Sequence, residues 1–175
     1  MSVKMVKMRR PFWNATGFRT GIAVFFFSII LCGQPLHAGP IVDNKNGAVS
    51  DKGTGLMWQM GDSFLELGKG VNWYEALEYV EGKNAANFAG HNDWRIPTLD
   101  ELNALWDSAL PTRNKDDEAI GLPKGFEAGG SYWLWTSNER GLDNAWYFGL
   151  GQKENYFNLK DLSDLDQGVK MVRTQ

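Results

Sequence analysis

Asn92-Asp93-Trp94-Arg95-Ile96-Pro97-Thr98-Leu99-Asp100-Glu101-Leu102 is the stretch on which the reading of the fold turns. Trp94 and Ile96 alternate with Arg95, the pattern of a short extended piece. Pro97 biases Ile96 away from the helical region. Thr98 and Glu101 form a capping box: the Thr hydroxyl accepts a free helix N–H, and the Glu carboxylate reaches back to the N–H of the cap. Leu99, Leu102, Leu105 and Trp106 follow at helical spacing. The sequence therefore predicts an extended segment that turns sharply into a helix over about 99–108, with Pro111 beyond its end.

Upstream, Asn72 and Glu75 repeat the capping-box spacing ahead of a second apolar stripe, Trp73, Ala76, Leu77 and Val80, with Glu75, Glu78 and Glu81 facing out. Before that helix, Ile41–Asp43 and Ala48–Ser50 read as two edge strands around an Asn44–Gly47 turn, and Leu56–Met60 reads as a strand. Residues 61–70 read as a loop. Downstream, 111–130 is a long polar segment with two prolines, four glycines and the charge run Arg113 to Glu118. Long ordered segments of this kind are often functional. Aromatic strands follow at Tyr132–Ser137, Ala145–Phe148, Asn155–Leu159 and Val169–Arg173. Two helices and a mostly antiparallel sheet with a long loop insertion make an α+β domain.

The chain has 175 residues, and its first part reads as a targeting segment rather than as fold. Lys4, Lys7, Arg9, Arg10 and Arg19 form a basic n-region without acids, Ile22–Leu31 is an apolar h-region, and Leu36-His37-Ala38 precedes Gly39 as a cleavage site. Residues 1–38 are thus expected to be a signal peptide and 39–175 a single exported domain, periplasmic or extracellular, with no membrane span after signal removal. Arg9-Arg10-Pro11-Phe12 partly matches a twin-arginine signal, but Met8 stands where a polar residue is usual. Cys32 follows Leu31 rather than the small residue that a lipoprotein signal wants.

Five of the 18 basic residues and none of the 21 acidic ones fall in 1–38, so 39–175 carries a net charge of −8. A domain this acidic is repelled by phosphate backbones, which argues against a nucleic-acid partner. The only cysteine, Cys32, leaves with the signal, so neither a disulfide nor a thiolate site is available to the domain. Seven tryptophans remain to build its core.

Gly55-Leu56-Met57-Trp58-Gln59, Trp73-x-x-Ala76-Leu77, Gly90-His91-Asn92-Asp93-Trp94-Arg95-Ile96-Pro97-Thr98, Glu101-Leu102, Tyr132-Trp133 with Thr136-Ser137, Ala145-Trp146-Tyr147 and Val172-Arg173 come in an order that resembles the Lcl C-terminal domain family. This is a bacterial family of domains of unknown function, typified by the C-terminal domain of the Legionella collagen-like adhesin. The resemblance covers about 47–173 and implies a C-type lectin-like fold and a role in adhesion, with sulfated polysaccharides among the family's ligands. A net charge of −8 opposes a polyanion. Many members carry a cysteine in the first helix and another in the last strand. Here Val80 and Met171 stand at those positions, which implies one buried contact kept by packing instead of a bridge.

His91 is the only histidine after residue 38, and no Gly-x-Ser-x-Gly elbow accompanies it, so neither a catalytic triad nor a zinc site is expected. Three oxygen-rich groups could offer calcium ligands: Asn92-Asp93, Asp116-Asp117-Glu118, and Asp161, Asp164 and Asp166. None has an EF-hand pattern, so no cofactor is assigned. Trp58, Trp73, Trp94, Arg95, Thr98, Glu101, Trp133 and Trp146 are assigned to the scaffold. The ligand surface is placed on the long 111–130 loop and on the 138–144 and 151–160 connections, with contacts named at Asn138, Glu139, Arg140, Asp143 and Asn144 and at Asn155 and Tyr156. The expected function is a non-catalytic binding or adhesion module for a glycan or an envelope protein. The alternatives are a structural subunit of an envelope complex, and an enzyme or enzyme accessory on a lectin-like fold.

Overall fold

The computed structural model describes residues 38–163 and 165–175; the expected signal segment, apart from Ala38, lies outside the described residues. The mixed α+β class holds, but the strands divide among three sheets rather than one. Strands β1 (Ile41–Asp43), β2 (Ala48–Asp51), β3 (Leu56–Gln59) and β9 (Val172–Thr174) form an antiparallel sheet in the order β1-β2-β3-β9. Strands β4 (Thr112–Arg113) and β5 (Ala119–Ile120) make a short hairpin. The third sheet is β6 (Trp133–Arg140), β7 (Asn144–Gly149) and β8 (Glu154–Leu159), in the order β6-β7-β8. The chain's last strand thus returns to pair with β3 instead of joining the aromatic strands, and β2 lies inside its sheet rather than at an edge.

Consecutive residues of several strands go to different cores. Ala48, Trp135, Tyr147 and Met171 pack in one buried cluster; their neighbours Val49, Leu134, Phe148 and Val172 pack in another. Side chains alternate across a strand, so sheets apolar on both faces must be covered on both. Helix α2 (Trp73–Ala85) supplies the first cluster with Trp73, Ala76 and Val80. Helix α3 (Leu99–Leu105) supplies the second with Leu102 and Leu105. Leu77 belongs to neither; it lies at the margin of the α2 stripe and is exposed. Val80 and Met171 do share the first cluster.

Both capping boxes form. Glu75 N–H donates to Asn72 Oδ1 and Asn72 N–H to Glu75 Oε2, each at 2.9 Å. At α3, Glu101 N–H donates to Thr98 Oγ1 at 3.2 Å and Thr98 N–H to Glu101 Oε2 at 2.8 Å. Two expectations are corrected. Residues 61–70 are not simply a loop, because Asp62 accepts from Leu65 N–H and starts helix α1 (Ser63–Leu67). Helix α3 stops at Leu105, short of 108: Trp106 turns to extended backbone, and its indole N–H donates to the Leu150 carbonyl at 2.7 Å.

The corner before α3 is tied to distant chain. Arg95 and Val172 exchange two backbone hydrogen bonds of 2.9 Å, which join it to the last strand. The Asn84 side chain holds both backbone groups of Trp94, accepting from its N–H at 2.8 Å and donating to its carbonyl at 2.9 Å. Among the described residues no helix is long and apolar enough to cross a membrane.

Candidate functional site

The 111–130 segment is organised by one buried asparagine. Asn114 Oδ1 accepts from the N–H groups of Asp116 (3.0 Å) and Glu118 (2.8 Å), and its Nδ2 donates to Glu118 Oε2 at 2.8 Å. Asparagine favours such turns because its side chain can take the place of a backbone partner. The result is the tight β4–β5 hairpin where the sequence suggested only an irregular loop. Lys115 projects from its tip. Its ammonium pairs with Asp116 at 2.9 Å and Asp166 at 3.2 Å, and lies 5.6 Å from the centre of the Phe64 ring. Hydrogen bonds to Asp116 and then Asp166 hold the lysine pKa above its ordinary value.

This hairpin, the start of β6 and the 165–166 segment enclose a cleft of about 440 Å³. Tyr132 and Trp133 line one side; Lys115, Asp116, Glu118 and Asp166 line the charged remainder. Trp133 is half-buried and belongs to a connected aromatic cluster. Its ring centre is 4.6 Å from that of Tyr132, 5.4 Å from Tyr147 and 5.6 Å from Tyr156, each edge to face. Tyr147 and Tyr156 stack at 5.9 Å. Edge-to-face packing satisfies the ring quadrupoles and fixes the tryptophan plane. Burial raises the Tyr132 pKa, and a hydrogen bond with Glu154 raises that of Tyr156. Both phenols are therefore neutral donors near pH 7.

The residues assigned to ligand contact from sequence do not gather in one place. Residues 138–140 continue β6, Asn144 opens β7, and Asn155 and Tyr156 belong to β8, so the turn shrinks to Gly141–Asp143. Asn138 Oδ1 accepts from Leu99 N–H at 2.8 Å and so serves the start of α3. Glu139 pairs with the buried Lys160 at 2.5 Å, and the Asp143 carbonyl accepts from Lys160 N–H at 2.8 Å. Cross-strand register puts Arg140, Asn144 and Asn155 on one face and Tyr156 on the other. Only Tyr156 adjoins the aromatic wall of the cleft.

Arg140 lies instead over the Phe157 ring at 3.6 Å and the Trp146 ring at 5.6 Å. Trp146, assigned to the scaffold, is thereby placed on the half-exposed end of that sheet face, edge to face with Phe157. The other residues assigned to the scaffold have these environments. Trp58, Trp73 and Trp94 are buried, and Trp73 Nε1 donates to the Thr136 carbonyl at 2.9 Å. Trp135, which strand alternation also reads as core, belongs with them: it is fully buried with its indole N–H on the Val71 carbonyl at 2.8 Å.

One acidic residue of each oxygen-rich group is engaged with a cation, and Asp164 lies outside the described residues. Asp93 takes Arg173 at 2.7 Å, which holds its carboxyl below the usual range, while Asp116 and Asp166 share Lys115. Among the described residues no three His, Cys, Asp or Glu side chains gather to hold a metal ion. His91 is half-buried, 6.3 Å ring to ring from Trp94. Of the cleft residues outside the named contacts, Lys115, Asp116 and Glu118 lie on the 111–130 loop expected to carry ligand surface, whereas Tyr132, Leu165 and Asp166 lie outside the expected segments. The cleft residues come from three segments separated in sequence; the one local signal was the long polar insertion ending in an aromatic pair.

No curated protein matches the chain. The profile of the Lcl C-terminal domain matches residues 47–173, which include the cleft's hairpin, its aromatic wall and Asp166, and the chain therefore belongs to the Lcl C-terminal domain family.

Proposed function

We propose that this domain is an exported, non-catalytic carbohydrate-binding module that takes its ligand in the cleft between the β4–β5 hairpin and Trp133. The observation that carries the reading is the pairing of a fixed, half-buried tryptophan with a polar rim at the mouth of one cleft. A pyranose ring offers C–H groups to an aromatic face and hydroxyls to carboxylates and amines, and this cleft presents both kinds of partner. Three carboxylates against one ammonium favour a neutral or amino sugar over a sulfated one. A C-type lectin-like arrangement is the fold reading that goes with it, supported by the capped helices, the antiparallel strands and the long 111–130 insertion. Membership of the Lcl C-terminal domain family is consistent with adhesion.

A second reading is an envelope-protein partner. It is favoured by strand β8, which ends its sheet and exposes Tyr156, Phe157 and Leu159 at 42–46%. Unpaired strand edges are ready templates for another chain.

The test is a glycan array of neutral, amino and sulfated sugars, with calcium and with chelator, followed by titration calorimetry on the best ligand. Asp116→Asn and Glu118→Gln are expected to weaken binding about tenfold or more, as loss of a charge-assisted hydrogen bond does, at near-wild-type melting temperature. Binding that survives both substitutions removes the cleft from the reading. Silence on every sugar, with one envelope protein captured through β8, replaces it by the second.

A further inference from the structure

Asp51 is a fully buried carboxylate, and among the described residues no ion pair reaches it. Its acceptor atoms are served by neutral groups. Oδ1 takes the N–H groups of Gly53 (2.9 Å) and Thr54 (3.4 Å), and Oδ2 takes the Thr54 hydroxyl at 2.7 Å. The shortest contact to Oδ1 comes from Gly39 N–H, at 2.7 Å. A buried carboxylate without a cation bears a desolvation cost that amide donors offset only in part.

Gly39 is also the residue that follows the cleavage site read from the sequence, Leu36-His37-Ala38. Its seat admits only glycine: a Cβ there would lie 2.3 Å from Gly53 N and 2.6 Å from Gly53 Cα. The nitrogen nearest the unpaired carboxylate is thus the one that signal removal would turn into an α-amine.

We propose that hydrolysis of the Ala38–Gly39 peptide bond by an export peptidase makes Gly39 an N-terminal ammonium whose ion pair with Asp51 locks the domain's first strand in place. Water supplies the balance: its oxygen joins the Ala38 carbonyl carbon, which leaves as a carboxylate, and both of its protons go to the Gly39 nitrogen. Cutting takes place on the emerging, unfolded chain, so the hydrogen bond of Ala38 N–H to the Ala104 carbonyl (3.0 Å) is no obstacle. The folded domain then gains a charge-assisted bond where the uncut chain has an amide bond. Lys52, next to Asp51 in the chain, donates through Nζ to the Gln175 side chain at 3.1 Å, and Asp107, which lines a pocket with Gly39, accepts from Ala109 N–H at 2.8 Å. The inference rests on the reading of residues 1–38 as an export signal and is independent of the sugar cleft.

The full chain is expressed in an exporting bacterium, and the product is examined by intact mass and N-terminal sequencing. A start at Gly39 is expected; any other start, or an uncut product, overturns the proposal. The product is then acetylated at its α-amine, which keeps one N–H and removes the charge. The melting temperature is expected to fall by about 3–6 °C in the wild type and to stay within about 1 °C in Asp51→Asn. An unchanged melting temperature on acetylation of the wild type overturns it. If Asp51→Asn does not fold, Gly39→Ala serves instead: it is expected to start at residue 39, melt lower, and respond little to acetylation because its amine cannot reach the seat. A Gly39→Ala product that responds as the wild type does counts against the proposal.

Discussion

Arg95 grips Glu101 with both terminal nitrogens: Nη1 donates to Oε2 at 2.8 Å and Nη2 to Oε1 at 2.5 Å. The same Glu101 Oε2 accepts the N–H of Thr98 and closes the α3 capping box. One carboxylate therefore starts the helix and anchors the arginine of the corner before it. Burial pushes the Glu101 pKa up, but the hydrogen bonds from Arg95 and Thr98 outweigh it, and the net shift is downward.

Glu101→Gln should cost about 1–3 kcal/mol near neutral pH, as loss of a charged partner from a part-buried pair does. The native carboxylate holds its proton less tightly than the unfolded one. Its contribution is therefore present above the unfolded value of about 4.5 and fades as pH falls through the lowered native value. Urea melts of wild type and variant from pH 7 down to pH 3 should show the gap closing with acid.

Trp94→Ala removes a buried ring that touches Phe88 edge to face at 5.5 Å and donates to the Phe88 carbonyl at 3.0 Å. A loss of about 3–5 kcal/mol is expected. Any variant that still folds should keep its sugar affinity within a few-fold, because Trp94 is absent from the cleft lining. Thermal melts and calorimetry on the same samples check both halves.

Lys170 is buried, with its ammonium among the carbonyls of Gln59, Met60 and Gly61 and 5.0 Å from the Phe126 ring centre. Burial lowers its pKa to about 8, against an opposing pull from Asp62 and Glu127. Between pH 8 and about 10.4 the unfolded chain holds the proton and the folded chain does not, so this group adds stability as pH rises through that window. Relative to Lys170→Met, the wild type should gain stability from pH 8 to 10, measured by denaturant midpoints.

Gly149 lies directly across from Trp133, and a Cβ there would come within 2.5 Å of the indole. Gly149→Ala should tilt the ring off the strand and cost about 1–3 kcal/mol, the usual penalty of overpacking. Under the sugar-binding proposal it should also weaken ligand affinity, whereas Asp116→Asn weakens affinity alone. Near-UV circular dichroism of the aromatic cluster, read beside calorimetry, separates the two effects.

Local chemistry is legible in the sequence. The Asn72–Glu75 and Thr98–Glu101 boxes act over three residues, and the turn of Ile96-Pro97 into α3 is set by sterics within a dipeptide. Helix α1 escaped notice because five residues carry too little periodicity, although its Asp62 cap was in plain view. The site was far less legible. The 111–130 loop is part of the expected ligand surface, but the contacts named by residue fall at 138–144 and 151–160, where the strands in fact continue, since alternating polar residues on the exposed half of a sheet look like loop.

By itself the sequence determined the element types around the corner, the two helix starts and the absence of any cysteine chemistry after residue 32, because each follows from neighbouring residues or from composition. Only the tertiary structure decided that the last strand closes onto β3, that Arg95 meets Val172 across the chain, and that Lys115, Trp133 and Asp166 share one cleft. Those relationships depend on which of many apolar faces pack together. That choice is made by the summed burial of two cores rather than by any local pattern.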